Sequence, residues 1–153
     1  MKIGVELRLG LDAGELYADA RAYEAAGADS LWFGAGPDDD LVLAAVAAAT
    51  SRVRLIVARS SPNAPILERL SRGRFVEATG DGAGYRVADP EAAAERWMRV
   101  DFPADRAAWK ELRARHDANG TIGLILANDP RLLDLIRNPD VIEDRQDIKL
   151  AFG

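Results

Sequence analysis

Three stretches of this chain run from the end of a helix through a tight polar or glycine turn into an apolar strand. They are Ala25-Ala26-Gly27-Ala28-Asp29-Ser30-Leu31-Trp32-Phe33-Gly34, Ala47-Ala48-Ala49-Thr50-Ser51-Arg52-Val53-Arg54-Leu55 and Leu70-Ser71-Arg72-Gly73-Arg74-Phe75. A helix that hands the chain to the next strand three times over is the grammar of a parallel β/α sheet or barrel. The chain has 153 residues, against the roughly 250 that a closed eight-stranded barrel of this type takes. That shortfall makes a single domain over residues 1–153 with a shortened α/β architecture the expectation.

The rest of the chain fills in around those junctions. Ile3, Val5, Leu7 and Leu9 alternate with Lys2, Gly4, Glu6 and Arg8, a period-two strand with one apolar face. Leu16, Ala20, Tyr23 and Ala26 have helical spacing, and Gly27 is a natural C-cap. The segment 41–50 is almost wholly Leu, Val and Ala and reads as a deeply packed helix. Strands are expected over 30–34, 53–58, 74–78 and 121–127, with short helices over 66–71 and 130–137 and a longer one from 105 to 117. Asp89-Pro90-Glu91 has the order N-cap, N1, N2 and predicts a helix over 90–99. Ile148 to Phe152 reads as a sixth strand.

Composition removes several classes of function. The net charge is -5, which disfavours a nucleic-acid partner because phosphate-backbone binding needs a basic face. Without cysteine there is no disulfide, thiolate nucleophile or zinc-thiolate site, and with His116 as the lone histidine no metal centre is expected. No apolar run approaches ~20 residues, so no membrane span is expected. Met1-Lys2-Ile3-Gly4-Val5 begins a strand and carries no signal-peptide pattern, so a cytoplasmic location is the expectation.

The three junctions resemble the N-terminal half of the bacterial luciferase-like family of flavin- or deazaflavin-dependent oxidoreductases. There, an Ala-Gly-x-Asp-Ser-Leu-Trp run leads into the second strand, Ala-Ala-Thr-Ser-Arg-Val-Arg-Leu into the third and Leu-Ser-x-Gly-Arg-Phe into the fourth. Residues 1 to 82 carry the likeness. It implies a truncated TIM-barrel-like (β/α) fold of about six mainly parallel strands, with FMN or the deazaflavin F420 at the strand C-terminal ends. The implied activity is that of a flavoprotein oxidoreductase or monooxygenase. Two departures stand beside it. Ala35-Gly36-Pro37-Asp38 replaces the family's acidic-histidine segment after strand two, and the stretch between strands three and four is abbreviated. The alternative is a non-catalytic scaffold or small-ligand-binding protein. In either case a barrel too short to close predicts a homodimer that completes it.

Strand alternation supplies its own candidates. With Ile3, Val5 and Leu7 turned toward the helices, Gly4, Glu6 and Arg8 face the barrel interior, and Glu6 and Arg8 lie toward the end where sites of this fold are built. Arg59 and Ser60 follow strand three, Glu77 and Thr79 end strand four, and Asn128 and Asp129 follow strand five. Glu6, Arg8, Arg59, Ser60, Glu77 and Thr79 are therefore the candidate cofactor-binding set, with Arg59 as a clamp for phosphate or carboxylate. The same charges read equally as a self-compensating ion-pair cluster. No catalytic residue stands out. Gly80-Asp81-Gly82-Ala83-Gly84 reads as a flexible loop, since a phosphate cradle would open directly into a helix. Asp38-Asp39-Asp40 reads as capping, His116 as a helix C-terminal cation, and Trp97 and Trp109 as core anchors on helices.

Overall fold

The structure is a computed structural model and describes residues 1–8, 12–34, 36, 38–80, 82, 84–88 and 93–139. In chain order the elements are β1 (Lys2–Glu6), α1 (Ala13–Ala26), β2 (Ser30–Phe33), α2 (Asp39–Ala49), β3 (Arg54–Val57) and α3 (Ala64–Ser71). There follow β4 (Phe75–Gly80), β5 (Tyr85–Val87), β6 (Glu95–Arg99), α4 (Arg106–Ala118), β7 (Gly123–Ala127) and α5 (Leu132–Arg137). The seven strands form a closed barrel in sequence order, β7 pairing back onto β1. Neighbours are parallel except at β4–β5 and β5–β6, so β5 alone runs against the rest.

This corrects the expected fold. The chain is neither a truncated parallel (β/α) barrel nor an open sheet; it is a closed seven-stranded mixed barrel. Two hairpins, β4–β5 and β5–β6, take the place of helical crossovers and close the ring with fewer residues. The open edge that motivated a completing dimer is absent, because Lys2 to Glu6 lie opposite Gly123 to Ala127. Residues 95–99 form a strand where a helix over 90–99 was expected. The expected strand over 148–152 lies outside the described residues.

The three junctions all sit at the lower end of the barrel, where the parallel strands begin. Gly27 closes α1 at φ 99°, a left-handed conformation that glycine adopts without steric cost. One Glu24 carboxylate oxygen then accepts the backbone N–H groups of Ser51, Arg52 and Val53 at 2.8, 2.6 and 3.0 Å. Burial opposes the charge of Glu24, but these donors outweigh it and hold its pKa below the usual value. Arg74 ties the second junction to the third. Its guanidinium donates to the carbonyls of Ala47 (2.8 Å), Thr50 (3.2 Å), Val53 (3.1 Å) and Ser71 (2.8 Å), and to Thr50 Oγ1 (3.0 Å). It thus answers the carbonyls left over at the end of α2 with a cation, where the helix dipole favours one.

Two apolar compartments result. The outer one lies between barrel and helices and holds Val5, Leu31, Leu55 and Leu124 from the strands with Tyr23, Leu43, Leu67 and Trp109 from the helices. The inner one fills the barrel with Trp32, Ile56, Ala78, Val87, Trp97 and Ile125. Gly4 and Gly123 make room for it: a Cβ on either would overlap the indole of Trp32 or of Trp97. No helix among the described residues is long and apolar enough to cross a membrane.

Candidate functional site

A column of aromatic rings runs along the barrel axis. Tyr85 stands 5.3 Å from Trp32, and Trp32 stands 5.5 Å from Trp97, both pairs tilted. An arginine closes each end: Arg99 lies 5.6 Å from the Tyr85 ring above, and Arg54 lies 5.6 Å from the Trp97 ring below. A glutamate meets each arginine, and there the likeness ends.

At the lower end Glu95 is 5% exposed. It accepts from Lys2 Nζ, from Arg54 Nη2 at 2.7 Å and from Trp97 Nε1 at 2.8 Å. Burial works against its charge, but the hydrogen bonds of Arg54, Lys2 and Trp97 prevail and lower its pKa to about 2. At the upper end, where the parallel strands finish, Glu6 accepts, among the described residues, only from Arg99 Nη2, at 2.7 Å, and the two side chains are 30% and 50% exposed. Beside them a shallow cavity of about 290 Å³ is lined by Gly80, Gly82, Gly84, Tyr85 and Arg99. The lower end is sealed and the upper end is a mouth.

The structure distributes the sequence-derived candidates unequally. Glu6 faces the interior and reaches the mouth, as strand alternation requires. Arg8 follows it on the exposed rim and has no ion-pair or hydrogen-bond partner among the described residues. Its charge acts on Asp129 and Tyr23 from a distance. Arg59 turns sideways instead. It pairs with Asp40 at 2.5 Å and donates to the Ser60 carbonyl at 3.1 Å. Asp40 also accepts from Ser61 Oγ (2.6 Å) and Asn63 Nδ2 (2.8 Å), while Glu77 accepts from Ser61 N at 2.7 Å. Burial opposes the Asp40 charge, yet Ser61, Asn63 and Arg59 hold its pKa below the usual carboxylate value. Arg59, Ser60 and Glu77 therefore brace the β3–α3 connection against α2, and the Arg59 guanidinium is engaged by Asp40. Thr79 points outward from β4, exposed, opposite Arg86.

The remaining motifs resolve structurally. Asp39 accepts from Gly36 N at 2.7 Å and Asp40 belongs to the brace, so this acidic run braces the β2–α2 and β3–α3 loops and places no side-chain cap on α2. Asn128 accepts from Tyr23 Oη at 2.5 Å and donates to Asp19 at 2.6 Å, a link between β7 and α1. Burial, then the Asp19 charge, pushes the Tyr23 phenol up to about 12, which makes it a permanent donor. His116 lies on the last turn of α4, outside the barrel, and burial followed by Arg115 and Arg96 lowers its pKa. Among the described residues no cluster of three or more metal-ligating side chains occurs.

Arg99 and Tyr85 are mouth residues that sequence reasoning missed. The available signal was a glycine-rich turn over 80–84 flanked by Tyr85-Arg86-Val87 and by Glu95, Trp97 and Arg99 at every second position. No protein-family model matches the chain, and no curated protein sequence matches it.

Proposed function

We propose that the chain is a luciferase-like flavin- or deazaflavin-binding oxidoreductase homologue that takes its planar cofactor at the upper mouth of the barrel. The observation that carries this reading is the Arg99 guanidinium, held by Glu6 over Tyr85 beside the glycine hairpin. A flat anionic ring system needs an aromatic or backbone surface to lie on and a fixed cation to hydrogen-bond its carbonyl or ionised edge. Tyr85, the backbone of Gly80, Gly82 and Gly84, and Arg99 supply those parts. The cavity fits the edge of such a ring, for its volume of about 290 Å³ lies at the small end of the ~300–1,000 Å³ range of ligand pockets.

When bound, FMN or F420 supplies the hydride chemistry. The chain's own residues orient and hold: Arg99 fixes the anionic edge, Glu6 fixes Arg99, and the Trp32–Trp97 packing keeps water out of the barrel beneath. A reducing, cytoplasmic compartment belongs to the same proposal and suits a chain without cysteine.

A second reading, a non-catalytic binding or scaffold protein, is favoured by one observation. Among the described residues the mouth has no free acid–base group: Glu6 is paired with Arg99, and the lone histidine lies on the outer wall. Titration with FMN and with oxidised F420, followed by cofactor fluorescence, separates the two. Saturable binding of either, weakened about tenfold by Arg99→Ala, is the expected result. Binding of neither cofactor leaves the scaffold reading, and unchanged affinity in Arg99→Ala removes the mouth as the site.

A further inference from the structure

Among the described residues, no helix lies between α3 and α4 in the chain, where hairpins close the barrel. Arg106 and Arg113 of α4 donate to Asn138 and Pro139 carbonyls at the end of α5, so that flank of α4 is occupied. Residues 108, 111, 112 and 115 lie on the opposite flank by the 100° step of the helix. There a cavity of about 570 Å³ opens between α4 and the strand-to-helix connection that follows β6. Its floor is apolar and continuous with the core through Val100, Phe102 and Leu112, Arg131 lies 4.3 Å from the Phe102 ring, and Arg99 and Pro103 also line the cavity. At its rim Arg115 is exposed and has no ion-pair or hydrogen-bond partner among the described residues.

The surroundings favour negative charge despite the acidic chain. Arg96 projects from the outer face of β6, opposite Arg86 of β5 in register. The Arg96 Nε is buried and has no hydrogen-bond partner among the described residues. Next to Arg115 on α4, half-buried His116 is held below the usual imidazole pKa by burial and then by Arg115 and Arg96, which reports a local positive field. Asp101 and Glu111 also line the cavity and oppose that field.

We infer that this cavity is a binding site for a small amphipathic monoanion, an aryl or alkyl carboxylate whose apolar body lies on Phe102 and Leu112 and whose carboxylate meets Arg115. An apolar floor binds the body by burial, and a partnerless guanidinium at the rim fixes the head with charge-assisted hydrogen bonds. The inference does not rest on the mouth being a cofactor site.

The test is calorimetric titration of the full chain with 4-phenylbutyrate, alongside the neutral 4-phenylbutanol and acetate as the head alone. 4-Phenylbutyrate is expected to bind saturably and at least tenfold more tightly than either comparator. Arg115→Gln, at an exposed position that tolerates change, is expected to weaken it about tenfold while the thermal midpoint stays within about 2 °C. Glu111→Gln is expected to tighten it, because a competing carboxylate is lost. Equal binding of the alcohol, no effect of Arg115→Gln, or weaker binding in Glu111→Gln would each overturn the inference. FMN or F420 titration of Arg115→Gln gives the independent readout: its mouth affinity stays at the wild-type value.

Discussion

The two ends of the barrel carry the same three groups, an aromatic ring, an arginine over it and a glutamate beside the arginine, and use them for opposite ends. Below, Glu95 is withdrawn from water and held by three donors. Above, Glu6 has one donor and stays half-exposed. The outer surroundings differ in the same sense. The lower end is bound together by Glu24 and Arg74, which between them hold three helix-to-strand turns. The upper end has glycines and a hairpin. An ion pair stabilises a fold according to its burial and the number of donors that satisfy it, not according to which residues form it. A pair left half in water remains available to a ligand.

The largest effect is expected where that contrast is greatest. Glu95→Ala strands Lys2 and Arg54 at the barrel floor and should cost about 4 kcal/mol in denaturant unfolding. A cost under about 1 kcal/mol would show that the lower cap is no seal. The same residue carries a pH signature. Its folded pKa of about 2 lies below the usual glutamate value of 4.5, so the stability it confers is complete above pH ~4.5 and is lost as pH falls toward ~2. Glu95→Gln should flatten that acid limb, and an unchanged limb would place the acid-labile group elsewhere.

Gly123→Ala comes next. Its methyl group would overlap the indole of Trp97, and overpacking of this kind costs about 2 kcal/mol. The lost stability should appear as a lower denaturation midpoint with an unchanged slope. Arg74→Met keeps the packed stem and removes the guanidinium from its carbonyls, with an expected cost of about 1.5 kcal/mol. The smallest effect belongs to the mouth: Glu6→Gln should change stability by less than about 1 kcal/mol. If it matched Glu95→Ala, the distinction between seal and mouth would be wrong.

The lower end was also the legible end. Gly27 and Thr50 act within a few residues of where they stand, so turn chemistry and helix caps announce them, whereas Arg74 reaches back to Ala47, Thr50 and Val53 and no local pattern announces it. Glu6 was placed correctly because Ile3, Val5 and Leu7 are apolar throughout, and period-two alternation then fixes the opposite face. The strand over 95–99 was hidden by the reverse arrangement. Its interior face is Glu95, Trp97, Arg99 and its exterior includes Met98, so the polar residues sit inside at both rims and alternation points the wrong way. The preceding Asp89-Pro90-Glu91 adds a helix-start signal. Missing that strand meant missing ring closure, and with it Arg99 and Tyr85 at the mouth. The direction of the Arg59 side chain was hidden for a different reason. A long side chain just past a strand end can turn to any neighbouring loop, and the buried carboxylate of Asp40 offered it a partner.

Ring closure also sets an order of events. β1 is zipped between β2 and β7, with Lys2 opposite Gly123, so the first strand made waits for the last strand of the ring. During synthesis β1 to β4 can pair as they emerge, but one side of β1 stays bare until residue 127 has cleared the ribosome. Until β7 pairs, that apolar strand edge has no neighbour, so the last pairing of the ring is also the one that removes its exposed edge.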